Sequence, residues 1–555
     1  MTNILKSLIV CGALISLAPV GHAWAPDAKE QAAALNSGDF SAYGGKLTEW
    51  LNEKTPASAN EAALKALIKD PVFLNALDQR QLIVKVGADK LAAFAKASPA
   101  NKEFIAWLLG NTEALELFLE GAVPPGNSQR EANNYGINVN ALEIWNKIRL
   151  ADPDAKQGFY QKLAIATGLR PPGTGAPGAG QTGRGQDPVV RYQYFKNAHK
   201  NKELFPSFDN INVWEMGCVV NTGASEEDLT WARNMINTWR PDLRINEQVI
   251  NSTSEVWRRN SPHPFTNYKT VLSGGGKCGP RSSWSVMICQ AFGIPAVGVG
   301  QPAHACAAYR AVNAMVEPQP GSHWKVAYGR GWQVSRLEGT GGEDFHAGMQ
   351  ERDRAVEFSQ VERLRWLASA ISAKERATAI MDVARAIQKA SVTVKTDVTA
   401  SLKPEEAEAE VKPKAAAEAK SLATGPIKIG AGATRFDAAA FANLSKGRMI
   451  DCFTGGKQIN FDKSIDESFV EYALDVPAAG TYVLELTTAA ANLDQALDVS
   501  VGANKIATLK VPYSTGLWAQ TPATEVALEK GAQTLKISAP NQRGVAIRWV
   551  ELKSK

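Results

Sequence analysis

A single thiol stands in the run GGGKCGPRSSW, Gly274 to Trp284, with Lys277 beside it and Arg281 three residues on. The glycines free the backbone to approach another group closely. Pro280 suits the first turn of a helix. Trp284, Met287, Ile288, Ala291 and Phe292 then recur at helical spacing, and Gly293 ends the run. Cys278 is therefore expected at a helix N-terminus, where the helix dipole and the cations Lys277 and Arg281 favour a thiolate. The competing structural reading is a small buried residue that opens a helix.

A thiol needs a base near it in space. His304 opens the run HACAAYRAV directly after GIPAVGVGQPA, so a short connection returns it toward the cysteine helix. His323, in HWKVAY, is the alternative base. His22, His199, His263 and His346 lie in a leader, a lysine-rich helix, a Pro-flanked loop and a segment after the strands. Of six cysteines, Cys11 falls in the leader, leaving Cys218, Cys278, Cys289, Cys306 and Cys452. An odd number leaves at least one thiol unpaired within a monomer. No CxxC pair or Cys/His cluster suggests a metal, and no cofactor is implied.

These residues need a framework. The 555 residues exceed what one core serves, so several domains are expected. Residues 1–25 read as a secretory signal: Lys6, then LIVCGALISLAPV, then GHA or AWA as a cleavage site. That predicts an exported protein, periplasmic or extracellular, and the apolar stretch is too short to span a membrane. The net charge of +5 is spread along the chain and leaves no nucleic-acid footprint.

Residues 26–169 carry leucines, isoleucines and phenylalanines at three-and-four spacing and predict a helical domain. Residues 170–188 are a Gly/Pro-rich loop. Residues 189–348 mix helices with short runs expected as strands: IPAVGVG, HACAAYRAV, HWKVAYG and GWQVSRL. Residues 349–391 are a helical extension and 392–426 a charged, Ala-rich linker. Residues 427–555 alternate at strand period with turns between, a β-sandwich pattern. The fold class expected is multidomain α+β.

The order GGKCGPRSSWSVMICQAFGIPAVGVGQPAHACAAY resembles the core of the transglutaminase-like superfamily of papain-like thiol enzymes, over about Tyr268 to Leu337. The resemblance implies a helix packed on an antiparallel sheet, Cys278 as nucleophile and His304 as general base. The GIPA-to-HA order needs no insertion for His304, whereas His323 requires a shifted alignment. The family's third member, an Asp or Asn on the following strand, has no counterpart in HWKVAYGRGWQVSRL; Ser335, Gln333 or Asn313 stand as orienting candidates. The activity implied is acyl transfer on peptide or protein amides, with hydrolysis preferred over cross-linking by analogy. FVEYALDVPAAGTYVLELTTA, STGLWAQT and GVAIRWVEL resemble a galactose-binding-type sandwich related to carbohydrate-binding modules. That resemblance implies a polysaccharide as partner, with Trp518 as a stacking residue. Sugar-binding members usually carry an Asn and an Asp in the last strand, where Ala546 and Arg548 stand here. The alternative to an enzyme is a catalytically degenerate envelope or secreted protein that uses the sandwich for glycan or protein contact.

Overall fold

The computed structural model describes residues 24–58, 60–174, 185–245, 247–256, 265–311, 322–392, 420–461, 467–540 and 544–555. Most of the signal segment, most of the Ala-rich linker, His263 and Asn313 lie outside them. From Ala28 to Leu169 the chain is a succession of helices. The long apolar stretch NEAALKALIKDPVFLNALDQRQLIVKVG splits into Glu61–Leu67 and Pro71–Val86. Asp70 stops the first and caps the second, accepting the Phe73 N–H at 2.8 Å, and Pro71 takes the first helical position, where its missing N–H costs nothing.

Four segments frame Cys278. Helix α1 (Glu226–Trp239) starts at Ser225, whose Oγ accepts the Asp228 N–H at 3.1 Å. Helix α2 (Tyr268–Gly274) is short, capped by Asn267, and ends in the glycine run. Helix α3 (Cys278–Ala291) follows. Then comes an antiparallel sheet of β1 (Ala296–Gln301), β2 (His304–Arg310), β3 (Trp324–Ala327), β4 (Arg336–Leu337) and β5 (Thr340–Gly341), in the order β3-β2-β1-β4-β5. GWQVSRL is not one strand: Trp332–Val334 form a 3-10 turn before the two-residue β4. Gly331 at φ 92° turns the chain there, and Trp332 is buried against Phe345 with its ring stacked on His346 at 4.9 Å.

Alternation gives the sheet two apolar faces. Ala296 and Tyr309 join the large core that holds Trp284, Met287 and Ile288 of α3. Val297, Val299, Cys306 and Ala308 join Trp214, Trp324 and Phe345 on the other side. A sheet covered on both faces is a rigid platform for a residue at a strand end.

Helices α4 (Gly342–Arg352), α5 (Ala355–Ala370) and α6 (Lys374–Ser391) return the chain to the N-terminal helices. Arg130 is enclosed between Glu351 of α4 and Glu362 of α5. Asn127 and Ser128 donate backbone N–H groups to Asp344, at 2.8 and 3.2 Å. The two helical regions, far apart in sequence, thus share one core.

The C-terminal region is a two-sheet sandwich with its own core. One sheet centres on Val545–Ser554, paired with Gly480–Ala490 and Lys457–Phe461. The other centres on Gly531–Ala539, paired with Ser468–Val476 and Gln495–Val501. In Ser468–Val476 every second side chain is buried, as the alternation predicted.

The junction of the helical regions carries a pH dependence. Asp78 is fully buried, neither carboxyl oxygen has a hydrogen-bond partner among the described residues, and burial holds its carboxyl well above the usual range. Glu120 is raised from 4.5 to about 7, by burial first and then by Glu116; Ser359 and Arg363 oppose the shift and Glu362 adds slightly. Between those two values the folded chain keeps a proton that the unfolded chain has released, so stability falls as pH rises through that window. Glu120→Gln should reduce the drop in melting temperature between pH 5 and pH 8, read by calorimetry; an unchanged drop would remove Glu120 as its source.

Candidate functional site around Cys278 and His304

Cys278 is the first residue of α3 and is half-buried. Gly275 makes the turn out of α2 at φ 68°, and a Cβ on Gly276 would lie 2.6 Å from Pro280, so the chain folds back on its own helix start only with glycine there. Lys277 takes the cap position without a side-chain hydrogen bond and is exposed. Pro280 has no N–H, and the Arg281 N–H donates to the Lys277 carbonyl at 3.2 Å. The N–H groups of Cys278 and Gly279 remain as donors at this end. A little further along α3, the Ser282 hydroxyl donates to the Cys306 carbonyl at 2.5 Å, fastening the helix to β2.

His304 opens β2 through a two-residue turn, Pro302-Ala303, with Gln301 and His304 paired across it. Ala303 sits at φ 55°, an uncommon conformation for a residue with a Cβ. The imidazole is buried, with Nε2 2.7 Å from the Tyr328 carbonyl. A carbonyl only accepts, so Nε2 carries the proton and Nδ1 is the basic nitrogen of the neutral ring. Tyr328 is itself strained, at φ 59°. Its ring lies 4.1 Å beneath the Arg281 guanidinium, and its hydroxyl donates to the Ile250 carbonyl at 3.1 Å.

By alternation His304 and Cys306 share one face of β2. Burial pushes the Cys306 thiol up to about 12; Arg330 pulls it down and the charge of Cys278 adds to the rise.

The other candidates sit elsewhere. Ser335 donates to the Gly331 carbonyl at 2.7 Å and accepts from Gln301 at 2.9 Å. Gln333 reaches the Arg330 carbonyl at 3.4 Å. Neither is a polar partner of His304 among the described residues. His323 is half-exposed at the start of β3, its Nδ1 3.0 Å from Asp353, which raises its pKa. Arg281 is buried against Tyr328. Tyr328 was not legible as a site residue, because it acts through a backbone carbonyl that any side chain would supply.

In the sandwich, Trp518 opens a short edge strand and packs against the large helical core. Ala546 is fully buried in that same core. Arg548 is bound to Asp437 at 2.6 Å and to the Lys457 carbonyl at 2.7 Å, and lies over the Trp549 ring at 4.1 Å. The two positions that differ from the sugar-binding pattern are thus occupied by packing and an ion pair.

No protein-family model matches the chain, and no curated protein does. Among solved structures, the C-terminal sandwich resembles carbohydrate-binding modules. The family 6 module of a laminarinase from Zobellia galactanivorans is 17% identical, over 22% of this chain and 99% of that one, with a TM-score of 0.20. A module of a Cellvibrio mixtus lichenase, solved with cellotriose, is 20% identical over 22% and 97%, TM-score 0.20. A family 35 module from Clostridium thermocellum is 14% identical over 22% and 100%, TM-score 0.21.

The five described cysteines are all free thiols, and four are buried. Burial raises Cys452 to about 11 and pushes Cys218 and Cys289 higher still. At pH 8 a folded sample should take up one equivalent of iodoacetamide, mapped by mass spectrometry to Cys278. Labelling spread evenly over Cys278 and Cys452 would contradict this order.

Proposed function

We propose that the chain is a thiol enzyme of the transglutaminase-like type that transfers acyl groups from peptide or protein amides. The observation that carries this reading is His304 at the start of β2, its Nε2 proton engaged by the Tyr328 carbonyl, next to the helix that Cys278 opens. Nδ1 of His304 takes the thiol proton and Cys278 attacks the amide carbonyl. The oxyanion is stabilised by the Cys278 and Gly279 N–H groups at the helix start, where the dipole also favours negative charge. The imidazolium returns its proton to the leaving amine, and water resolves the thioester, releasing the acid. The Tyr328 carbonyl takes the orienting part that a carboxylate or amide plays elsewhere in the family. Being neutral, it stabilises the imidazolium less than a carboxylate would.

A second reading, a degenerate exported protein that binds a glycan through its sandwich, rests on the two-sheet architecture of the C-terminal region. The packing of Ala546 and Trp518 and the pairing of Arg548 count against the usual sugar site. The peptide reading therefore comes first.

The test is amide turnover with a mixed peptide library, together with the rate of Cys278 alkylation against pH. Cys278→Ala should abolish turnover with the fold intact. His304→Ala should lower it by about 10²–10⁴-fold, the usual contribution of a general base, and should shift alkylation to alkaline pH. His323→Ala should leave both unchanged. A wild-type thiol that alkylates no faster than a free cysteine, together with Trp518-dependent binding on a glycan array, would overturn the enzyme reading in favour of the second.

A further inference from the structure

The sandwich does not hang free on its linker; it grips the elements around Cys278. Amide side chains from its Lys457–Phe461 strand cap the C-terminal end of α1: Asn460 donates to the Trp239 carbonyl at 2.7 Å and Gln458 to the Thr238 carbonyl at 3.1 Å. Those carbonyls have no partner within their own helix. In return, the indole N–H groups of Trp231 and Trp239 donate to the Thr515 and Gly544 carbonyls, at 3.1 and 3.0 Å. The Trp231 ring meets Trp284 of α3 edge-on, with centroids 6.1 Å apart.

The Tyr513 hydroxyl makes a second connection. It donates to the Lys269 carbonyl at 2.9 Å, and the Ser273 side chain lies close to it. Both residues belong to α2, and Ser273 directly precedes the glycine run that leads to Cys278. Gly275 and Gly276 fold the chain tightly back onto Pro280, so the start of α3 is set by what fixes α2 on one side and Trp284 on the other. The sandwich reaches α2 directly and Trp284 through Trp231.

We propose that the β-sandwich is a positioning element of the Cys278 site, with Tyr513 and its loop holding α2, and through it the helix start that carries the thiol. The edge that faces α1, which includes Ala546, serves as an intramolecular docking face rather than a ligand site. The inference rests on the reading of Cys278 as the nucleophile.

The experiment uses the full chain. Tyr513→Phe removes one hydroxyl and keeps the ring, and Trp231→Phe removes one indole N–H. Iodoacetamide alkylation of Cys278 is followed from pH 5 to pH 10 beside the melting temperature. Tyr513→Phe should slow alkylation about three- to tenfold at neutral pH, the scale of one hydrogen bond, and displace the midpoint of the pH profile while melting changes little. Tyr513→His, which restores a donor, should recover part of the rate. A control variant in the same region that touches neither α1 nor α2, Thr508→Val, should leave the profile unchanged. If wild-type Cys278 is reactive and Tyr513→Phe and Trp231→Phe both keep its profile, the positioning role is refuted and the nucleophile reading survives. If wild-type Cys278 shows no enhanced reactivity, the nucleophile reading fails and the positioning role falls with it.

Discussion

A backbone carbonyl accepts a hydrogen bond and cannot give one, and the arrangement around His304 depends on that constraint. With the Tyr328 carbonyl 2.7 Å from Nε2, one tautomer of the neutral ring is selected without any acidic side chain. The carbonyl has to be held in place, and the surrounding chain does so. Arg281 covers the tyrosine ring, the Ile250 carbonyl takes its hydroxyl, and the Arg330 N–H donates to the Gln301 side chain at 3.0 Å across the neighbouring turn. Ala303 and Tyr328 both keep positive φ angles beside the imidazole. Such conformations cost about 1–3 kcal/mol each and persist where their surroundings over-determine them. The strain falls on the two residues that aim and receive the histidine.

Arg281 stands near the thiol in sequence and against Tyr328 in space. Three residues after Cys278, it is one helical turn away and suits thiolate stabilisation by spacing alone. In the fold its guanidinium is buried over the ring of Tyr328, the residue whose carbonyl meets His304. Lys277, directly before the thiol, is exposed, so its charge is screened by solvent.

Much of the framework was legible. The helix from Cys278, the strand from His304 and the sandwich alternation follow from periodicities that burial enforces locally. What escaped were pairings over long separations. Arg130 meets Glu351 and Glu362 across more than two hundred positions, and nothing in either local pattern announces it. Tyr328 was invisible because its contribution is a main-chain oxygen. GWQVSRL failed as a strand because Gly331 and the stacking of Trp332 on His346 outweighed the local preference for extended chain.

The linker reading illustrates the same gap at the scale of domains. A charged, alanine-rich spacer argues for few contacts between the regions it joins. The contacts come from elsewhere: two tryptophans of α1, two amides of the sandwich and the Arg448–Asp242 ion pair at 3.1 Å close the interface. Buried amides such as Gln458 and Asn460 are costly unless satisfied, and here their partners lie on the other region. Separating the two would leave those amides, and the last carbonyls of α1, dependent on water.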